Sequence, residues 1–268
     1  MAEACTTGGA AELLVEDFGP VRRLTLNRPQ ALNALTTGML VAMHEACRQA
    51  SIDDAVRVLV VTGAGRAFCA GADLKAFDEA QRVAPGETDF LERASQAFAQ
   101  LRHCPKPVVA ALNGLTMAGG LEIAMCADII VAAEGARIGD GHANFGVFPG
   151  AGGASVLPRL LPLPTAMYLL LSGRTLTAER LHALGLVCEL HPADRLQEAT
   201  LELAQELARR SPAGLRRMKE VARHAADKSL EDALLHEQVM MRAHLRSHDM
   251  AEGLAAFQAR REPQFIGR

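Results

Sequence analysis

At 268 residues, with 49% hydrophobic and 22% charged residues, the chain is long enough to bury a sizeable core, as one large domain or as a main domain with a smaller appendage. A net charge of -3 with no basic stripe excludes a general nucleic-acid binder, and no apolar run is long enough to span a bilayer. Six cysteines at positions 5, 47, 69, 104, 126 and 188 form no CxxC pair and have no nearby histidine at ligand spacing, so they read as reduced, mostly buried thiols.

Residues 1–11 are small and polar and are expected to form a disordered tail. They show neither a secretory signal nor an Arg-rich transit pattern, so the expected setting is cytoplasmic. Residues 13–15 and 21–26 read as two strands of a hairpin joined at Gly19-Pro20. After Thr36-Thr37, an N-cap, the stripe Met39, Leu40, Met43, Ala46 and Cys47 predicts a helix to about Ala50. Residues 56–61 are a continuous apolar run ending in Thr62-Gly63-Ala64-Gly65, the pattern of a buried parallel strand whose C-terminal end opens on a glycine loop. Ligands bind at such ends in open α/β sheets.

Residues 76–88 are polar, contain Pro85-Gly86 and read as a mobile loop; residues 89–101 read as a helix. The apolar run 107–112 then leads through Met117-Ala118-Gly119-Gly120-Leu121 to a helical segment at 122–127, and residues 128–133 and 136–139 read as further strands. A glycine-rich tract runs from Gly139 to Gly153. Beyond it, helical patterns cover 154–161, 165–171, 178–184, 193–210, 212–226 and 230–261, broken only by a strand at 186–190. Strands alternating with helices indicate βαβ units. The expected organisation is an α/β core over 12–200 and a C-terminal helical region over 201–268 that packs on the core and on a neighbouring subunit.

Several common chemistries fail on inspection. Thr62-Gly63-Ala64-Gly65 lacks the third glycine of a dinucleotide fingerprint, since Phe68 stands there, and the only tyrosine, Tyr168, has no lysine four residues on. There is no Walker loop, no Gly-x-Ser-x-Gly elbow and no His-Glu-x-x-His. What remains is a pair of loops. Ala70-Gly71-Ala72-Asp73 and Ala118-Gly119-Gly120 each follow a buried strand. If those strands are neighbours, the Ala72 and Gly119 amides converge on one carbonyl oxygen, as stabilising a thioester enolate requires. Glu122, three residues after Gly119, is placed to act as a base. Taken alone, the Met117–Glu122 stretch reads more readily as a strand-helix turn with a carboxylate favoured by the helix dipole.

The ordered set of motifs resembles the enoyl-CoA hydratase/isomerase, or crotonase, family. It comprises Asn-Arg-Pro-Gln-Ala-Leu-Asn-Ala-Leu at 27–35, Phe-Cys-Ala-Gly-Ala-Asp-Leu-Lys at 68–75, Asn-Gly-Leu-Thr-Met-Ala-Gly-Gly-Leu-Glu at 113–122 and Pro-Gly-Ala-Gly-Gly at 149–153. It continues through 183–187 to Phe-Gln-Ala-Arg-Arg-Glu-Pro-Gln-Phe at 257–265. The resemblance implies an α/β fold of the ClpP/crotonase type, a right-handed spiral of ββα units with a C-terminal helical trimerisation region. It implies an acyl-CoA thioester as substrate, coenzyme A being part of that substrate, with no metal or redox cofactor and no nucleic-acid or membrane partner. It also implies assembly as a homotrimer or a dimer of trimers.

Carried over residue by residue, the resemblance makes Ala72 and Gly119 the oxyanion-hole donors and Glu122 the first catalytic glutamate. It makes Ala70, Gly71, Asp73, Leu74 and Lys75 the lining of the CoA groove. The position of the second glutamate holds His142 here. If residues 139–144 are extended, Asp140, His142 and Asn144 share one face, and Asp140 orients the imidazole for proton transfer. The plainer alternative is a loop hydrogen bond from His142 and a turn cap from Asp140. Arg28 has two readings, a CoA phosphate contact and a structural ion pair, and Lys75 is similar. Phe257 and Arg261 fit either a neighbouring subunit's CoA site or amphipathic packing. The expected activity is hydration or dehydration of an α,β-unsaturated acyl-CoA. The rivals are double-bond isomerisation, thioester hydrolysis and a non-catalytic acyl-CoA-binding or scaffold role.

Overall fold

The computed structural model describes residues 11–80 and 87–268. Ten strands are formed among them: β1 (Leu13–Phe18), β2 (Val21–Leu26), β3 (Val58–Gly63), β4 (Ala67–Cys69), β5 (Val108–Leu112), β6 (Leu115–Met117), β7 (Ile129–Ala133), β8 (Arg137–Gly139), β9 (Thr175–Thr177) and β10 (Glu189–His191). They make a six-stranded sheet in the order β1-β2-β3-β5-β7-β10 and a four-stranded sheet in the order β4-β6-β8-β9. Only the β1–β2 hairpin and the β8–β9 pair are antiparallel. Strands β3 and β5 are buried along their whole length, which explains their unbroken apolar sequence: both faces are covered.

The helices are α1 (Thr37–Ile52), α2 (Leu74–Ala80), α3 (Phe90–Arg102), α4 (Gly119–Ala124), α5 (Gly153–Leu160), α6 (Leu163–Ser172), α7 (Ala178–Ala183), α8 (Leu196–Ala208), α9 (Pro212–Ala225), α10 (Leu230–His244) and α11 (His248–Ala259). Helix α1 starts where its cap predicts, with the Thr36 hydroxyl accepting the Met39 amide, and it buries Met39, Leu40, Met43, Ala46, Cys47 and Ala50 at helical spacing. The described cysteines are free thiols; Cys47, Cys69, Cys104 and Cys126 are buried, and burial pushes Cys47 and Cys69 up to about 12. The α/β class and the C-terminal helices agree with the expectation, and the described residues contain no helix long and apolar enough to cross a membrane.

Several expectations need correction. Residues 74–80, expected within and beside a mobile loop, form α2, because the Asp73 carboxylate accepts the Lys75 and Ala76 amides and caps a helix start. Residues 81–86 of that loop, and residues 1–10 of the expected tail, lie outside the described residues. The expected helix at 122–127 begins three residues earlier, at Gly119. The single helix expected over 230–261 is two: α10 ends at His244, and the Ser247 hydroxyl caps α11 by accepting the Met250 amide. Residues 186–187 are not strand; the Leu186 and Val187 amides close α7 onto the Leu181 carbonyl, and β10 starts only at Glu189. Strands β4, β6 and β9 went unrecognised, each having three residues and so no measurable alternation.

Candidate active site

Strands β3 and β5 are parallel neighbours in the large sheet, and their continuations β4 and β6 are parallel neighbours in the small one. The loops that follow β4 and β6 therefore leave the same edge. A Cβ built on Gly71 would stand 2.8 Å from the Ala118 Cβ and 3.5 Å from the Gly119 nitrogen, so the two loops touch. Leu35 bridges the first loop in parallel register: its amide donates to the Gly71 carbonyl and its carbonyl accepts the Asp73 amide. The intervening Ala72 must then direct its own N–H to the opposite side. Neither the Ala72 nor the Gly119 amide has an acceptor among the described residues. Gly119 is the first residue of α4, where an N–H has no intrahelical partner, and Ala118 before it holds φ 49°, ψ -118°, a conformation costly for a residue with a Cβ. Two adjacent, unpaired donors thus face one space.

Glu122, 4% exposed, lies one helical turn further on. Its Oε1 accepts two amides, from Ala151 and Gly153, each at 2.9 Å. These belong to the loop that starts α5, so the carboxylate sits at a helix N-terminus, where an anion is favoured. Oε2 has no protein partner among the described residues, and Glu122 lines the chamber described below. The Pro-Gly-Ala-Gly-Gly tract was recognisable in the sequence, but its task of gripping Glu122 was not. The signal was present: a glycine run at a helix start is an anion site.

Residues 142–145 are a single 3-10 turn, not the extended segment expected, so the alternation of Asp140, His142 and Asn144 onto one face does not occur. Asn144 instead donates to the Gly173 carbonyl. The turn nevertheless brings Asp140 and His142 together: Asp140 Oδ1 meets His142 Nδ1 at 2.9 Å and also accepts the His142 amide at 3.2 Å. Burial disfavours the charged ring, but the Asp140 hydrogen bond and the nearby charges of Asp140 and Glu122 together outweigh it, leaving the imidazole above its ordinary pKa. With Nδ1 committed, Nε2 is the nitrogen left for chemistry. Asp140 is wholly buried, and its Oδ2 lies where a Cβ on Gly153 would approach to 2.6 Å, so only glycine fits between the two carboxylates.

Both Glu122 and His142 line a chamber of about 530 Å³, together with Ala70, Ala72, Leu74 and Gly119. The remaining expected residues sit elsewhere. Gly71 lies behind Ala72, Asp73 caps α2, and Lys75 is exposed on that helix. Arg28 donates to the Ala34 carbonyl and pairs with Glu12 and Asp73 at 3.2 and 3.0 Å; it does not line the chamber. Phe257 is 84% exposed, and Arg261 pairs with Glu252 at 2.6 Å.

Comparison with known proteins returns one family. The model described as "Enoyl-CoA hydratase/isomerase" matches residues 18–268. The chain is 36% identical to the 2,3-dehydroadipyl-CoA hydratase of Escherichia coli, over 96% of this chain and 100% of that protein. It is also 36% identical to the 1,2-epoxyphenylacetyl-CoA isomerase of the same organism, over 92% of this chain and 95% of that one. Among solved structures, the enoyl-CoA hydratase of Mycobacterium tuberculosis superposes with a TM-score of 0.86 at 33% identity, covering 96% of this chain and all of that one.

Proposed function

The chain belongs to the enoyl-CoA hydratase/isomerase family and has the crotonase fold, and from that premise we propose that it adds water across the double bond of a 2-enoyl-CoA. The observation that carries this reading is that His142, held by Asp140 at 2.9 Å, lines the same chamber as Glu122. A proton donor and a carboxylate base in one chamber are what addition of H and OH requires, whereas isomerisation needs only one base.

In this reading the thioester oxygen sits between the Ala72 and Gly119 amides. Glu122 Oε2 takes a proton from water as the hydroxyl bonds to C3, and the π electrons move through C2 to the thioester oxygen. The two amides stabilise the resulting enolate. His142 Nε2 then delivers its proton to C2. Transfer of the proton held by Glu122 to the imidazole restores both groups. Asp140 holds the ring by Nδ1, which fixes its orientation and favours its charged form. Every proton is carried by a residue of this chain, so the reaction as drawn needs no metal or redox cofactor.

The apolar side chains that α10 exposes, among them Leu234, Leu235 and Val239, suit burial against other copies of the chain. We read that helix as part of a homotrimer or dimer-of-trimers interface.

The experiment is loss of conjugated-thioester absorbance from 2-enoyl-CoA, followed against pH. The imidazolium is the acid and its pKa is raised, so kcat/KM falls as pH rises through that raised value. Asp140→Asn removes the hydrogen-bonded charge, and the alkaline limb moves to lower pH. A rate independent of pH across the histidine range, or a limb unmoved by Asp140→Asn, removes His142 from the reaction. The same shift stabilises the fold below the ordinary histidine pKa, an increment lost as pH rises through the folded value.

A further inference from the structure

The far wall of the chamber is built by α2 and α3. Helix α3 turns Phe90, Leu91, Ala94 and Phe98 to it, and α2 adds Phe77, whose ring meets that of Phe90 edge-on at 5.4 Å and 78°. The spacing of the α3 residues is that of one helical face. Leu91 also reaches the loop that grips Glu122, since a Cβ on Gly150 would lie 2.9 Å from Leu91 Cδ2. The wall therefore runs from the acyl end back to the loop that holds Glu122.

Among the described lining residues only Glu122 and His142 ionise, and both belong to the reacting end. The described charged residues of the wall's two helices are not part of the lining. Arg93 donates to the Thr88 carbonyl, Arg102 reaches the Cys126 thiol behind the Gly152 turn, and Glu92 accepts from Gln96. Lys75 and Asp78 of α2 are not part of the lining.

Resting on the hydratase reading, we infer that the acyl group this chain accepts is uncharged and apolar at its far end, and that acyl-CoAs bearing a terminal carboxylate are rejected. A carboxylate there loses water and meets, among the described residues of the wall, only phenylalanine, leucine and alanine; the chamber's one described cationic group, the His142 imidazolium, is held by Asp140 at the reacting end. An alkyl or aryl end instead gains contact with the ring faces and edges of Phe77, Phe90 and Phe98.

The test uses two unreactive thioesters of equal carbon count, hexanoyl-CoA and adipoyl-CoA, titrated calorimetrically into the full-length protein. Hexanoyl-CoA is expected to bind at least about a hundredfold more tightly, the scale set by an unpaired buried charge. Affinities within about threefold overturn the inference, since such a gap is far below the cost of an unpaired buried charge. Leu91→Arg places a cation on the wall at a position already 42% exposed, where the fold tolerates it. That variant narrows the hexanoyl-to-adipoyl ratio by at least about tenfold, as a new charge pair beside the acyl end does. An unchanged ratio shows that Leu91 does not face the acyl end and also counts against the inference. Turnover of 2-enoyl-CoA is followed in parallel. Its absence strikes the hydratase reading, whereas equal affinities with turnover intact strike the acyl-group inference alone.

Discussion

Glu122→Gln lowers kcat for hydration of 2-enoyl-CoA by about a thousandfold, within the range by which a positioned base accelerates proton transfer. Glutamine keeps the shape of the side chain and one carbonyl oxygen, so the Ala151 and Gly153 amides at 2.9 Å retain their acceptor. What disappears is the second carboxylate oxygen and the charge that draws the proton from water. The loss therefore falls on kcat, and KM for the thioester stays near its wild-type value, since the oxyanion amides and the apolar wall are untouched. Exchanging two charge-assisted hydrogen bonds for neutral ones costs about 1–2 kcal/mol of stability, visible as a drop of a few degrees in Tm. An unchanged kcat would mean that Glu122 is held as a structural anion at the start of α5 and that another group is the base.

Gly71→Ala lowers kcat by about a hundredfold, the scale of losing one oxyanion-hole donor. Gly71 has φ +105°, a conformation that L side chains rarely adopt, and its new methyl would stand 2.8 Å from the Ala118 Cβ. One of the two loops must give way, and each carries one of the paired donors, Ala72 next to Gly71 and Gly119 next to Ala118. Separating them by a few tenths of an ångström is enough, because the enolate oxygen has to reach both amides at once. Gly135→Ala serves as the comparison. Gly135 also has a positive φ, +75°, but open space surrounds it. That substitution carries a backbone cost of about 1 kcal/mol with kcat unchanged, since no donor moves. Equal effects of the two substitutions on kcat would show that Gly71 acts through general stability and not through the two amides.

Much of this site can be read from short stretches because its parts are local. The apolar run of β3, the glycines after β4 and β6, and the three-residue step from Gly119 to Glu122 each express a rule of backbone geometry within a few residues. Asp140 and His142 are two residues apart, so their contact needed no knowledge of the fold, although the 3-10 turn that makes it differs from the extended segment expected. The grip on Glu122 is different. Ala151 and Gly153 are 29 and 31 residues away, and only the packing of α5 beside α4 brings them there. Arg28 was ambiguous for the same reason, since Asp73, its partner, is 45 residues on. Helix α2 was hidden because its capping Asp73 falls inside a motif that draws the eye to ligand binding, while the polar residues after it resemble a loop. The break between α10 and α11 was hidden because the helical pattern runs on across it, and the interruption is only residues 245–247, ending in the capping Ser247.

The proposed acid–base pair also accounts for a histidine where the resemblance places a second glutamate. A carboxylate at that position shares the chamber with Glu122 as a like charge, and one of the two must hold a proton. An imidazole avoids that repulsion: Asp140 and Glu122 both favour its charged form and hold its pKa above the ordinary histidine value. Asp140 is the cost of that arrangement, a fully buried carboxylate with one oxygen unpaired and room for it only against Gly153.

The most direct test follows the atoms of water. The enzyme is given 2-enoyl-CoA in water labelled with both ¹⁸O and deuterium, and the products are read by mass spectrometry. Water addition by Glu122 and His142 predicts an intact thioester carrying one ¹⁸O at C3 and one deuterium at C2. Deuterium in a recovered 3-enoyl-CoA without ¹⁸O, or ¹⁸O in the carboxyl group of a released acid, would contradict it, the first pointing to isomerisation and the second to thioester hydrolysis.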